Sequence, residues 1–107
     1  MKGQVVAEVS IIPIGTRDTG LSGYIASCLK VLEDNKDLTY RLTPMATVIE
    51  GPLDKLLAAV RKMHEVPFSQ GASRVVTHLK IDDRRDKSIT MAGKVDSVLK
   101  LRPSIKA

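Results

Sequence analysis

The chain has 107 residues, 43% of them apolar and 27% charged. That length supports one self-sufficient hydrophobic core, and the composition excludes a disordered chain, a fibre and a disulfide scaffold. The formal charge of +5 is unevenly spread: residues 1–73 are balanced, and the whole excess lies in residues 74–107. A basic final third fits a solvated terminal helix and loop, or a surface for an anionic partner.

Nothing in the sequence addresses the chain to a membrane. The N-terminal run MKGQVVAEVSIIPIG is interrupted by Glu8 and Ser10 and closes on Pro13 and Gly15, not on a small-residue cleavage site. No segment approaches the ~20 apolar residues of a spanning helix. A lone cysteine, Cys28, leaves no internal disulfide to form. The expectation is one cytoplasmic domain over 1–107.

In chain order, QVVAEVSII at 4–12 alternates as a strand should, with Val5, Ala7, Val9 and Ile11 on one face and Val6, Glu8, Ser10 and Ile12 on the other. GTRDTG at 15–20 reads as a loop. Ser22 is a candidate N-cap for a helix over 22–34, whose apolar stripe is Ile25, Cys28, Leu29 and Leu32. LTYRLT at 38–43 and ATVIE at 46–50 read as two strands joined around Pro44-Met45. Leu53, Leu56, Leu57, Val60, Met63 and His64 mark a second helix, with Asp54 in its first turn and Pro67 as its stop. RVVTHLKI at 74–81 alternates again, DDRRDK forms a charged loop, and Ser88 is a candidate cap for a third helix that carries Ile89, Ala92, Val95 and Leu99 on one face and ends at Pro103.

The order β-α-β-β-α-β, then α, predicts an α+β, ferredoxin-like βαββαβ sandwich with an extra C-terminal helix. Two helices cover one sheet face. The other face would present Glu8, Ser10, Ile12, Thr39, Arg41, Thr43, Val76, His78 and Lys80. That mixture is too apolar for plain solvation, so a partner sheet or the third helix should cover it.

Motifs for chemistry are sparse. His64-Glu65 begins a zinc motif, but Phe68 stands where its second histidine would be, and no metal site is expected. Cys28 lies on an apolar helix stripe and reads as a small hydrophobe. Gly15 and Gly20 have P-loop spacing, but Leu21 occupies the lysine position. Three aromatics, Tyr24, Tyr40 and Phe68, are too few for an RNA-binding sheet, so no nucleic-acid partner is expected. No catalytic constellation stands out. What remains is a small polar set on or near the open sheet face: Thr43 and Thr47 flanking Pro44-Met45, and Glu50 closing the third strand.

SIIPIG at 10–15 and LTPMATVIEG at 42–51 resemble motifs of the thiamine-binding, YkoF-like family of small proteins. The likeness continues in His64-Glu65, in RVVTHLKIDDRRDK at 74–87 and in TMAGKVDSVL at 90–99, so it covers nearly the whole chain. Ala46 departs from it, because that family commonly has glycine there. The resemblance implies dimers that pair their sheets, as a homodimer or homotetramer, and binding of thiamine or its hydroxymethylpyrimidine part without turnover or a cofactor. It places Ser10, Pro13 and Ile14 in the first motif and Thr43, Met45, Thr47 and Glu50 in the second. The ring would lie against Met45 or Ile12. Glu50 and the hydroxyls of Ser10, Thr43 and Thr47 would read its polar edge, and Glu8 or Glu50 would face a thiazolium. The alternative is a regulatory or assembly module whose sheet face binds a protein or a small anion.

Overall fold

Alternation along the first strand decides the layering. A computed structural model describes residues 4–107, which form β1 (Gln4–Pro13), α1 (Ser22–Glu33), β2 (Thr39–Leu42), β3 (Thr47–Pro52), α2 (Leu53–Ser69), β4 (Val75–Asp82) and α3 (Met91–Leu101). The strands make one antiparallel sheet in the order β2-β3-β1-β4, the ferredoxin-like arrangement that the element order predicts. Val5, Ala7 and Val9 point to the helix-covered side and are buried with Cys28 and Leu32 of α1, Ile49 of β3, and Leu56, Ala59, Val60 and Met63 of α2. In the second helix, Ala59 lies in the core and Leu57 is exposed, which corrects the stripe read from the sequence.

Helix boundaries depart from the sequence reading at three helix ends. Leu21, not Ser22, is the N-cap of α1, and no side chain caps that end. Thr90, not Ser88, caps α3 by accepting the N–H of Gly93 at 2.9 Å. Pro67 does not stop α2, which runs on to Ser69 with Pro67 buried inside it. A helical proline cannot donate to the carbonyl four residues back. Here that carbonyl belongs to Met63, and the Cys28 thiol donates to it at 3.4 Å. Burial pushes the Cys28 thiol pKa up.

The register fixes what positions the site. The β1–β3 ladder ends with Val9 opposite Thr47, whereas the β1–β4 ladder continues to Pro13 opposite Val75. Beyond Val9, therefore, the β3-facing edge of β1 has no strand beside it. At the other end of β3, Gly51 sits at φ +154°, and a Cβ there would lie 2.6 Å from Leu38 Cδ2 and 3.0 Å from the carbonyl oxygen of Asp37. Glycine is needed for that close approach.

The open face carries Val6, Glu8, Ser10 and Ile12 of β1, Val48 and Glu50 of β3, Thr39 and Arg41 of β2, and Val76, His78, Lys80 and Asp82 of β4. The first turn of α3 covers one end of it: Met91 is buried, as is Val6. Lys94 pairs there with Asp82. Met91 lies outside the stripe expected for this helix, of which Val95 stays exposed and Ile89 precedes the first turn. Past that turn, Val98 is half-exposed and Leu101 is 86% exposed. Part of the basic final third neutralises itself. Arg85 donates to Asp83 at 2.8 Å and Arg84 to Asp86 at 2.6 Å, and both carboxyls are held below the usual carboxylate range by these bonds.

Candidate functional site

The gap left where the β1–β3 ladder stops is the mouth of a cavity of about 260 Å³. Three elements close it. Val9 to Ile12 of β1 form one wall, Leu21 at the N-cap of α1 with Ile25, Cys28 and Leu29 a second, and Leu42 to Thr47, the β2–β3 connection, the third, with Met63 of α2 completing the lining. The lining is aliphatic and sulfur-bearing, with hydroxyls from Ser10, Thr43 and Thr47.

The β2–β3 connection is tied twice. Within it, Thr43 donates its backbone N–H to the Ala46 carbonyl at 2.9 Å and its hydroxyl to the same oxygen at 2.8 Å, while the Ala46 N–H donates to the Thr43 hydroxyl at 3.2 Å. Across the gap, the Ser10 hydroxyl donates to the Met45 carbonyl at 3.3 Å. These bonds leave the Met45 side chain 88% exposed at the rim.

Thr47 differs from the other two. It is only 5% exposed, and its hydroxyl has no hydrogen-bond partner among the described residues. No fully enclosed side-chain oxygen or nitrogen is left unpaired among those residues. The Thr47 hydroxyl therefore retains some exposure, and the cavity it lines supplies it. Strand parity puts it on this side. It stands opposite Val9 and so faces the helices, which corrects the reading that placed it near the open face.

Of the seven residues singled out from the sequence, the structure brings together Ser10, Thr43, Met45 and Thr47. Pro13 is buried at the end of the β1–β4 ladder. Ile14 donates its N–H to the Arg74 carbonyl at 2.8 Å and lines a separate, more polar groove with Arg17 and Gln70. Glu50 lies three residues from Thr47 on the opposite sheet face, and its Oε2 accepts the N–H of Met91 at 2.7 Å. It is a helix-end acceptor, where a carboxylate is favourable. Glu8 stands 3.8 Å from Lys80 and is also outside the cavity.

Cavity residues that the sequence reading left out of the site include Leu21 at the N-cap of α1, Ile25, Cys28 and Leu29 of α1, Leu42 of β2 and Met63 of α2. Four of these, Ile25, Cys28, Leu29 and Met63, stood in helical stripes as plain core. Stripe periodicity shows which side faces inward, not where packing stops short of contact. His64 is half-buried on α2, its Nδ1 2.7 Å from the Thr77 hydroxyl and its ring edge-to-face with Phe68, outside the cavity. Among the described residues no group of three His, Cys, Asp or Glu could hold a metal, and no helix is long and apolar enough to cross a membrane.

Comparison with known proteins gives consistent relatives. The family described as thiamine-binding protein matches residues 7–99. The UPF0045 protein YqgV of Bacillus subtilis is 47% identical over 98 residues, covering 89% of this chain and 94% of that one. A UPF0045 protein of Methanothermobacter thermautotrophicus is 41% identical over 95 residues, covering 88% of this chain and 95% of that one. Among solved structures, protein MJ1052 of Methanocaldococcus jannaschii is 38% identical with a TM-score of 0.81, over 90% of this chain and 96% of that one. A Thermotoga maritima protein, provisionally described as one of thiamine biosynthesis or salvage, superposes with a TM-score of 0.72 at 23% identity, over 89% of this chain and 98% of that one. At that identity the likeness concerns the fold alone.

Proposed function

From the premise that this chain belongs to the thiamine-binding protein family, we propose that it binds thiamine or its hydroxymethylpyrimidine part, without turnover, in the cavity between β1, α1 and the β2–β3 connection. The observation that carries this reading is Thr47: a hydroxyl without a protein partner among the described residues, on a 5%-exposed side chain in the wall of a largely apolar cavity. A hydroxyl in such a place is stabilised by a ligand or solvent group that completes its hydrogen bond.

An aminopyrimidine suits the walls. It is flat enough to lie between Ile12 or Met45 on one side and the α1 side chains on the other, and polar along its edge. The β1 edge beyond Val9, free of a neighbouring strand, offers main-chain groups to that edge beside Thr47. Ser10 and Thr43 hold the connection that forms the third wall. The same inventory supports the reading without turnover. A catalytic role needs a general base or nucleophile beside the ligand, and the one ionisable side chain in the lining is Cys28, whose proton is held by burial.

The protein acts, in this reading, as a cytoplasmic homodimer or homotetramer. The half-apolar open sheet face and the exposed Val95, Val98 and Leu101 of α3 supply surface for a second copy. Calorimetric titration of refolded, ligand-stripped protein tests the binding. Saturable heat with thiamine or hydroxymethylpyrimidine, one per chain or per symmetric site, is expected. No heat with either at several temperatures overturns it. Native mass spectrometry tests the assembly, with a monomer at micromolar concentration as the contrary result.

A further inference from the structure

We propose that Met45 is a reversible oxidation site: a hydroperoxide converts its thioether to the sulfoxide while the other sulfurs of the cavity stay reduced, and the change loosens the cavity's hold on a bound ring. The modification stands on the exposure of this side chain. Its effect on binding rests on the cavity being the ligand site, as proposed above.

Sulfur is concentrated at this place in the fold. The described residues carry four sulfur atoms, those of Cys28, Met45, Met63 and Met91, and the first three line this one cavity. Exposure divides them. Met63 is 2% exposed and Met91 8%, whereas Met45 is 88% exposed. A dissolved oxidant therefore reaches Met45 without any unfolding, and the other two methionines only when the core opens. Cys28 is protected by packing and by chemistry. It is buried with its thiol donated to the Met63 carbonyl, and burial favours the thiol over the thiolate that reacts with peroxide.

The backbone fixes where the Met45 sulfur is presented. Thr43 binds Ala46 through its main chain and its hydroxyl, and the Ser10 hydroxyl tethers the Met45 carbonyl. The residue is held at the mouth while its unbranched side chain is free to turn. Ile25 and Leu42, both also in the lining, expose apolar surface to solvent as well. A flexible thioether in such a rim folds over a seated ring and keeps water from it.

Oxidation removes that option. A sulfur lone pair attacks one oxygen of hydrogen peroxide, an S–O bond forms as the O–O bond breaks, and the other oxygen leaves as water with both protons. Sulfur gives up an electron pair and the peroxide takes it. The new oxygen is a strong acceptor, and folding it over a ring would strip its water. The Ser10 and Thr43 hydroxyls, already donated to carbonyls, do not replace that water. The sulfoxide therefore stays turned to solvent and leaves the mouth uncovered. Methionine sulfoxide reductases, drawing electrons from a thiol, reverse the step.

The test has a chemical and a binding readout. Native protein is treated with limiting hydrogen peroxide and its peptides are weighed by mass spectrometry. Sulfoxide should form at Met45 at least about tenfold faster than at Met63 or Met91, and the difference should vanish in denaturant. Toluene, as a plain ring probe, and hydroxymethylpyrimidine are then titrated by ligand-observed NMR before and after treatment. Both should bind about five- to tenfold more weakly to the oxidised protein, as for loss of the apolar area that Met45 covers. Reductases for both sulfoxide epimers should restore the affinity. In Met45→Leu, which lacks the sulfur, affinity should be the same with and without peroxide. The inference is overturned if Met45 oxidises no faster than the buried methionines, if affinity changes less than about twofold, if the leucine variant responds as wild type does, if the reductases restore nothing, or if neither probe binds the reduced chain. Silence with hydroxymethylpyrimidine while toluene responds as expected would overturn the thiamine-related reading and leave the oxidation site standing.

Discussion

Thr47 and Glu50 lie three residues apart on β3, and the fold gives them opposite employment. Side chains on a strand alternate between faces, so an odd separation sends them to different sides of the sheet. Thr47 turns toward the helices, into a cavity wall, with its hydroxyl unclaimed. Glu50 turns to the open face, where α3 begins, and its carboxylate accepts the Met91 N–H. One end of this strand lines a cavity, and the other holds the start of a helix. Proximity in sequence and shared polarity are thus poor guides to a shared site when the backbone has period two.

The comparison can be broken at its root with Gly51→Ala. Both ends depend on β3 being seated against Leu38, where the added Cβ would meet Leu38 Cδ2 at 2.6 Å at a φ of +154°. Denaturant unfolding should show a loss of about 2–3 kcal/mol. Wild-type stability would mean that β3 tolerates a wider gap than this geometry allows.

Glu50→Ala separates the ends. Loss of a charged acceptor at the α3 N-terminus should cost about 1–2 kcal/mol. Hydrogen exchange should accelerate over residues 91–101, with affinity for hydroxymethylpyrimidine unchanged. A fall in affinity without faster exchange in α3 would return Glu50 to the ligand site. Ser10→Ala is a milder change, because it removes only the tether to the Met45 carbonyl. A stability loss of about 0.5–1 kcal/mol is expected, with binding weakened about two- to threefold.

The smallest effect concerns Cys28, which lines the cavity and carries a thiol whose pKa burial raises. Because the folded pKa lies above the unfolded one, the unfolded chain loses its proton first as pH rises. The stabilisation is complete below the unfolded thiol's ordinary pKa of about 8.5 and is lost above it, toward the folded value. Comparing denaturation midpoints of wild type and Cys28→Ala at neutral and alkaline pH isolates this group. A difference between the two proteins that does not change with pH would contradict it.

Much of the fold was legible because it is written in periods. The alternation of Val5, Ala7 and Val9 and the spacing of Cys28 and Leu32 each name an inward face, and those faces are the core. Helix ends were less legible, because capping depends on which nearby hydroxyl reaches a free N–H. Thr90 does so and Ser22 does not. Pro67 misled because its cost falls on the Met63 carbonyl, and only the three-dimensional neighbourhood shows Cys28 meeting it. The site was half legible. The motif residues Ser10, Thr43, Met45 and Thr47 do meet, but the register ending at Val9 and Thr47, which opens the cavity, is a property of strand pairing and not of either strand alone.

Methyl and amide NMR during titration with hydroxymethylpyrimidine tests the central claim most directly, because it reports both ends of β3 at once. Perturbation concentrated at Ile11, Ile25, Leu29 and residues 43–47, with Glu50 and Met91 unmoved, is the predicted result. Shifts centred on Glu50 and the open face, or none anywhere at saturating ligand, would contradict it.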